Sequence, residues 1–505
     1  MSRPTTLVDQ FSLSPEAYKE LSRPRTGLVE ERRDPERPGC YTLERGMLSE
    51  YERQLSAEDG ENGMLTVHQR VTYSASLAGF GPLVALALRR VLRSRSTAVP
   101  IPRWLPPDPL ESDAARQLAT IVMVSISTAY YATLLGQTLT FTAREFSAGV
   151  SSQAWVLLAS RFDILPGFAL LALANRVGRV AMVRISVLIG ALLTALSAAS
   201  PGMEMLALLQ VLAKGTTAAA GVLVTVLAAE IVAPRQRAWA IGSLVVGAAL
   251  GAGFCDVLLP IAGISLGSWR ILYLVGIPMG AWGVRLTYLL HESERFRHAV
   301  AEVPRERRRI SLSGSRVFVL SVAAFAVNAF LIPTTQFRNE YLRVERHFSA
   351  ALIGLFVILT NIPGALGLAF GSRLSETKGR RVVAAAAIII GGGGIALGFA
   401  TGGLWLWITT VVGSTAVTAI VPSLGVYQAE MFQTRARGMG GGIITAASRV
   451  GSILGVLFVG YFSSRMSLGG SVALLFFGML ALVPLLFTWF PETGGLELEQ
   501  ISSDE

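Results

Sequence analysis

Cysteine is nearly missing from this sequence. Its 505 residues hold two, Cys40 and Cys255, neither in a CxxC motif nor in a Cys/His cluster of metal-ligand spacing, so a disulfide framework and a cysteine-based metal site are excluded. Histidine is almost as scarce, with His68, His291, His298 and His347 the full set. Charge is thin as well: 15% of residues are charged against 52% hydrophobic, and the mean hydropathy is +0.52, a balance that a water-soluble globular chain does not reach. No GxxxxGKS run and no GxGxxG between a strand and a helix occurs, so there is neither a phosphate cradle nor drive by ATP. No nucleophile sits beside a base near the end of an apolar run, which argues against an enzyme, and no cofactor or metal is expected.

A net charge of +10 invites a nucleic-acid reading until it is divided by region. Residues 1–117 carry 16 basic and 16 acidic residues, so the whole excess belongs to the apolar remainder, with 28 basic and 18 acidic. Positive charge flanking apolar runs sets membrane topology, and no nucleic-acid partner is expected.

What is present is length of apolar chain. Twelve runs, each about long enough to cross ~30 Å of hydrocarbon as a helix, cover 118–141, 153–174, 180–199, 205–229, 238–262, 270–290, 317–335, 350–371, 382–400, 404–428, 438–462 and 471–490. The expected protein is an all-α membrane protein. With the N-terminus in the cytoplasm, the inner loops hold 18 Lys and Arg and the outer loops 6, so both termini are expected inside, in a multi-pass protein of the cell membrane.

Residues 1–117 differ in kind, rich in Pro, Arg, Glu and Ser, and read as a mostly disordered cytoplasmic extension. Within it, the apolar stretch from Val71 to Leu88 runs into Arg89, Arg90, Arg93 and Arg95, while Gly79, Gly81 and Pro82 interrupt its middle. The expectation is a helix over 71–95 lying on the inner leaflet; a thirteenth span is the alternative. The stretch lies too far from Met1, and lacks a small-residue cleavage site, to read as a signal peptide.

The chain repeats itself. Glu230, Arg235, Arg237 and Gly242 recur as Glu430, Arg435, Arg437 and Gly442 at an offset of 200, and Gly178-Arg179 recurs as Gly379-Arg380 at 201. Two six-helix bundles of like topology follow, 118–290 and 317–490, related by a pseudo-two-fold axis, joined by a basic hinge over 291–316 and followed by a tail over 491–505. Glycine runs such as Gly391 to Gly394 are expected at close helix packing.

Twelve spans in two repeated halves, a basic central loop and a Gly-Arg motif after the second span of each half resemble the major facilitator superfamily. Within it, Tyr427-Gln-Ala-Glu430-Met-Phe-Gln-Thr-Arg435-Ala-Arg437, Ser448-Arg449-Val450-Gly451 and the tail Pro491-Glu492-Thr493-Gly494-Gly495-Leu496 are similar to the sugar and organic-ion transporter branch. The resemblance covers Leu118 onward. It implies charge networks that gate alternating access, carried here by Asn175, Arg179, Glu230, Arg235, Arg237 and by Glu376, Arg380, Glu430, Arg435, Arg437; Asn175 stands where the pattern has an acid. The glutamine pairs of sugar-binding members are missing after the hinge, where this chain has Asn328 and later Gln336, which turns the expectation from sugar towards an organic anion.

Charges inside spans are costly enough to mark function. They are Arg161 and Asp163, Lys214, Asp256 and Arg449. Arg161 and Asp163 are two residues apart and cannot share one face of an α-helix, and Arg161 is near enough to the outer surface to snorkel. Arg449 is near the middle of its span and keeps its charge; the resemblance implies a role in binding a carboxylate, with a standing ion pair to Asp163 as the alternative. Lys214 and Asn328 join it as candidate substrate ligands. No histidine lies in a span, so Asp163 or Asp256 must carry any coupled proton. The expected protein is a monomeric secondary transporter in the lipid bilayer, moving a small organic anion or metabolite with protons. The alternatives are a drug or amphiphile exporter and a transporter-like nutrient sensor.

Overall fold

A computed structural model describes residues 4–60, 64–75, 88–89, 91–93, 96–99, 110–233, 236–292, 314–425, 427 and 437–490. Its N-terminal part corrects the expectation of disorder. Strands β1 (Thr5–Leu13), β3 (Val29–Arg33), β4 (Cys40–Gly46), β5 (Leu48–Asp59) and β6 (Leu65–Ala75) form one antiparallel sheet in the order β1-β6-β5-β4-β3. Helix α1 (Pro15–Leu21) starts at Ser14, whose side chain accepts from the Ala17 N–H. A second, two-stranded sheet pairs β2 (Thr26–Gly27) with β7 (Ala98–Val99) and so ties the end of this region back to its beginning.

The sheet hides charge where a strand pattern leads one to expect apolar side chains. Arg53 and Glu31 are fully buried and paired at 2.5 Å. Tyr51 donates to Glu31 at 2.6 Å, the Arg25 backbone N–H donates to it at 2.8 Å, and Arg53 also donates to the carbonyls of Leu21 and Arg23. The buried charges are thus multiply satisfied, which a core of this kind requires. Burial and the neighbouring Glu31 push the Tyr51 hydroxyl up from its ordinary range.

The expected surface helix over 71–95 is corrected too. Val71 to Ala75 belong to β6, Leu88 and Leu92 are fully buried, and Arg93 pairs with Asp9 of β1 at 3.6 Å. Residues 76–87 and Arg90 and Arg95 lie outside the described residues. One apolar cluster runs from Leu7, Val29 and Leu48 of the sheet through Leu88, Leu92 and Leu110 into Leu118 and Ile121.

The remainder is helical. In chain order come α2 (Ser112–Glu145), α3 (Val150–Ala159), a 3-10 turn over Ser160–Asp163, α4 (Ile164–Val177), α5 (Arg179–Ser197), α6 (Met203–Ile231), α7 (Arg237–Leu258) and α8 (Trp269–Thr287). After the hinge follow α9 (Gly314–Glu340), α10 (Ala350–Lys378), α11 (Arg380–Ala386), α12 (Gly393–Ala400), α13 (Gly403–Val417), α14 (Ile420–Leu424), α15 (Arg437–Phe462), α16 (Leu468–Leu480) and α17 (Leu482–Trp489). Among the described residues 11 helical stretches are long and apolar enough to cross a membrane, and the chain is a multi-pass membrane protein. The sequence reading of 12 differs at 270–290: α8 is there, but Arg270 and Arg285 near its ends dilute its apolarity, and it is not among the eleven.

The Gly-Arg repeat in sequence is also a repeat in structure. Gly178 and Gly379 both have positive φ, 107° and 92°, each closing one helix so that Arg179 or Arg380 opens the next. Helix pairs repeat as well. A side chain at Gly247 or Gly251 of α7 would meet the Val122 or Ile126 carbonyl oxygen of α2 at 2.8 or 2.1 Å, and one at Gly451 or Gly455 of α15 would meet those of Phe325 or Ala329 of α9 at 2.2 or 2.1 Å. Small residues four apart thus let backbones touch in both helix pairs. Gly455→Leu and Gly251→Leu are each expected to cost well over ~2 kcal/mol of packing, read as loss of the monodisperse peak in detergent chromatography; an unchanged peak for both contradicts this packing.

Candidate functional site

Pro166 lacks an N–H and crowds the carbonyl four residues earlier, so the chain enters α4 through the 3-10 turn of Ser160 to Asp163. That turn overturns the helical-wheel expectation for Arg161 and Asp163. Both lie within electrostatic reach of Arg449 and of Lys214, and of these cations Arg449 is the one in hydrogen-bond contact with Asp163. The Nε and Nη2 of Arg161 are shielded from solvent and have no hydrogen-bond partner.

The cluster is assembled by three elements. Arg449, in the middle of α15, donates through Nη1 to Asp163 Oδ1 at 3.0 Å. Gly215 lets α6 lie against the turn, since a side chain there would meet the Asp163 carbonyl oxygen at 2.5 Å, and so brings the adjacent Lys214 alongside. Asp163 and Lys214 line a cavity of about 430 Å³, whose other walls come from Ser125, Thr128 and Ala132 of α2, Thr217, Gly221 and Thr225 of α6, and Ile241, Leu244 and Ala248 of α7. The hydroxyls of Ser125, Thr128, Thr217 and Thr225 donate to backbone carbonyls of their own helices, which leaves the cluster as the strongest recognition element. The Arg449 side chain is 34% exposed and that of Asp163 13%, so the pair is reachable rather than sealed.

A second carboxylate lies elsewhere. Asp256, in α7, is buried, has an Oδ1 without a hydrogen-bond partner, and faces Arg338 of α9 within electrostatic reach. Close by, α2 and α9 are joined: Asn339 donates to the Gln137 side-chain oxygen at 2.6 Å, and Thr140 to Glu340 at 2.6 Å. At the opposite end of the helices Arg179 pairs with Glu230, Arg237 Nε donates to the Ala229 carbonyl at 3.0 Å, and the Val180 N–H donates to Glu292 at 2.6 Å.

Of the residues singled out from sequence, Arg449, Asp163 and Lys214 come together with Arg161. Asp256 stands apart. Asn328 donates to the Ala324 carbonyl of its own helix at 2.9 Å and does not line the cavity. Arg380 opens α11. Arg235, Glu430 and Arg435, and the side chains of Asn175, Glu376 and Arg437, lie outside the described residues. Arg338 and Glu340 were missed because the seventh span was ended at residue 335, whereas α9 and the π turn after it continue to Glu345.

Residues 317–505 match the Major Facilitator Superfamily model. Among solved structures the chain is similar to the inward open xylose transporter XylE from E. coli, with 15% identity, a TM-score of 0.62, and coverage of 76% of this chain and 98% of that one. It is similar to a bacterial homolog of the human lysosomal transporter Spinster in an inward-facing, occupied conformation, with 18% identity, a TM-score of 0.57, and coverage of 74% and 94%. A mutant of the nucleoside transporter NupG gives 14% identity, a TM-score of 0.60, and coverage of 74% and 100%. No curated protein matches the sequence. The resemblance to the superfamily drawn from the repeats and the Gly-Arg motifs therefore holds, and the fold is the one those transporters share.

Proposed function

We propose that this chain is a secondary transporter of a small organic anion, working by alternating access and coupled to protons. One observation carries the reading: Arg449 holds Asp163 at 3.0 Å beside a cavity that Asp163 and Lys214 line, with Arg161 in electrostatic reach. An arginine at that depth needs a counter-charge at all times. Asp163 serves while the site is empty, and a substrate carboxylate replaces it when the site is full. A proton taken up by Asp163 releases Arg449 to the substrate, which couples the two. Arg449 offers the substrate a planar fork of donors and Lys214 a point charge. Asp256, against Arg338 where the halves meet, is the second candidate for the proton. The XylE neighbour, named as a proton:xylose symporter, supports proton coupling as a use of this fold.

The proposal includes α8 as the twelfth membrane helix, two six-helix bundles over 118–290 and 317–490, a monomer in the cell membrane, and both termini in the cytoplasm. In that orientation the Gln137–Asn339 and Thr140–Glu340 bonds close the outer side, and the conformation is inward-facing. The Arg179–Glu230 pair and Arg237 then sit at the inner gate. Arg237→Ala and Arg437→Ala are expected to leave insertion intact and slow exchange between states. Cysteine-accessibility labelling at the two mouths checks this, and unchanged labelling in both variants removes the gating role.

A sensor-like second reading is favoured by the folded N-terminal sheet, whose core continues into α2. Deleting residues 1–110 separates the two: a transporter keeps its uptake, whereas a sensor loses its output.

A further inference from the structure

A second cavity, of about 590 Å³, lies beyond the Gln137–Asn339 and Thr140–Glu340 bonds, towards the ends of α2 and α9, and shares no residue with the one beside Asp163. Two arginines line it, Arg144 from the end of α2 and Arg343 from the π turn over Tyr341–Glu345. They lie within electrostatic reach of one another, and Arg343 is half-buried, with its guanidinium 4.6 Å from the centre of the Phe141 ring. Neither guanidinium has a hydrogen bond or an ion pair among the described residues. Glu340, the one acid among the described residues on the wall, accepts from Thr140. Glu145, next to Arg144 in the chain, is engaged by Arg270 and Trp269. Two guanidiniums thus border one space with their donors unused.

Further donors converge on the same space. Helices α3 and α10 both begin at it, reached by Gln153 in the first turn of α3 and by Ser349, the residue that caps α10. The opening N–H groups of a helix lack partners within it and favour negative charge. Gln153 is only 2% exposed, lines the cavity, and its side-chain amide has no hydrogen-bond partner among the described residues. A buried amide left unused is costly, so this one is set for a ligand. The two corners also match: Ser147 and His347, at the offset of 200, are the two non-glycine residues of positive φ among the described residues, 52° and 57°. From this geometry we infer that the cavity is a second binding site, separate from the Arg449 cluster, which holds a small oxyanion, a carboxylate or a phosphate, between Arg144 and Arg343 with the Gln153 amide as a further donor. Planar forks of donors suit either group. Because one arginine ends α2 and the other follows α9, the bound oxyanion bridges the two elements that the Thr140–Glu340 bond joins. Its place on the outer side rests on the orientation proposed above; the site itself does not rest on the anion reading of the Arg449 cluster.

The test is equilibrium binding of radiolabelled inorganic phosphate and radiolabelled propionate to the full-length protein in detergent, at constant ionic strength in chloride, for the native protein and for Arg449→Ala. Saturable binding of at least one probe is expected in both. The pair Arg144→Gln and Arg343→Gln, made together in either background, is expected to raise the Kd of this component at least about tenfold, and Gln153→Leu at least about threefold. No saturable binding of either probe, or binding undiminished by the two arginine substitutions, overturns the site. Binding that vanishes in Arg449→Ala alone belongs to the first cavity, overturns the second site and leaves the anion reading standing. Binding kept by Arg449→Ala, in a protein whose native form takes up no anion, upholds the second site and sinks the anion reading. Tighter binding of phosphate than of propionate marks a phosphate ligand and the reverse a carboxylate, while displacement of phosphate by short-chain phosphatidylglycerol at an about tenfold lower concentration marks a lipid headgroup as the source of the oxyanion.

Discussion

Arg449→Ala is expected to abolish anion uptake in proteoliposomes, by at least about a hundredfold, while the protein still reaches the membrane. The guanidinium is the donor to Asp163 at 3.0 Å and the only group of the cluster carried by the second half of the chain. Removing it strips the site of a forked cation and leaves a part-buried carboxylate without its hydrogen bond. For uptake the relevant loss is the forked, charge-assisted donor to the substrate carboxylate, worth about 3 kcal/mol, roughly two factors of ten at ~1.4 kcal/mol each. Arg449→Lys keeps the charge but loses the planar fork, so it is expected to retain uptake with a much raised KM. The double variant Arg449→Ala/Asp163→Ala removes the orphaned carboxylate, and recovery of its thermal stability without uptake separates a binding role from a structural one. Native-rate anion uptake by Arg449→Ala would remove the anion assignment.

Glu31→Ala is expected to unfold the N-terminal sheet. The carboxylate accepts from Arg53, Tyr51 and the Arg25 backbone, and the Arg53–Glu31 pair is fully buried. Without it the Arg53 guanidinium keeps only its two carbonyl acceptors in a core shut off from water. A loss of ~3–5 kcal/mol is large beside the whole stability of a domain of this size. Limited proteolysis of the full-length protein should then cut within residues 4–75, where the native sheet resists, and continued resistance contradicts the account of that network. The replacement Glu31→Gln, which retains two polar atoms, is expected to cost less than Glu31→Ala and more than a surface change.

The same two regions show what the sequence made legible. The membrane helices declared themselves because apolar length is a one-dimensional signal, and the repeated Gly-Arg dipeptide marked two places where a positive-φ glycine closes one helix before the arginine opens the next. The sheet did not declare itself. In β6 the buried positions Val67, Gln69, Val71 and Tyr73 do alternate, but Gln69 breaks the apolar pattern, and the buried positions of β3 and β5 include Glu31 and Arg53. A core that buries a charge network erases the period by which strands are read. Val71 to Ala75 also read on without a break into the apolar run that follows them. In the site, Arg449, Lys214 and Asp163 were legible as costly charges, whereas the place of Arg161 was not. Its position depends on a 3-10 turn that only Pro166 foreshadows, because a regular helix sends residues 161 and 163 in different directions. Arg338 escaped because charge was used to end the seventh span, although the helix continues through it.

Two lines of argument meet in the Arg449–Asp163 pair: a cation that must always be neutralised, and a carboxylate that alternates with substrate as its partner. The direct measurement is uptake of radiolabelled carboxylates into proteoliposomes, with and without a pH gradient that is alkaline inside, for the native protein and for Asp163→Asn. The native protein is expected to accumulate anion above equilibrium only when the gradient is present, and Asp163→Asn to reach equilibrium at most, whatever the gradient. Accumulation driven by pH that is undiminished in Asp163→Asn would contradict the account.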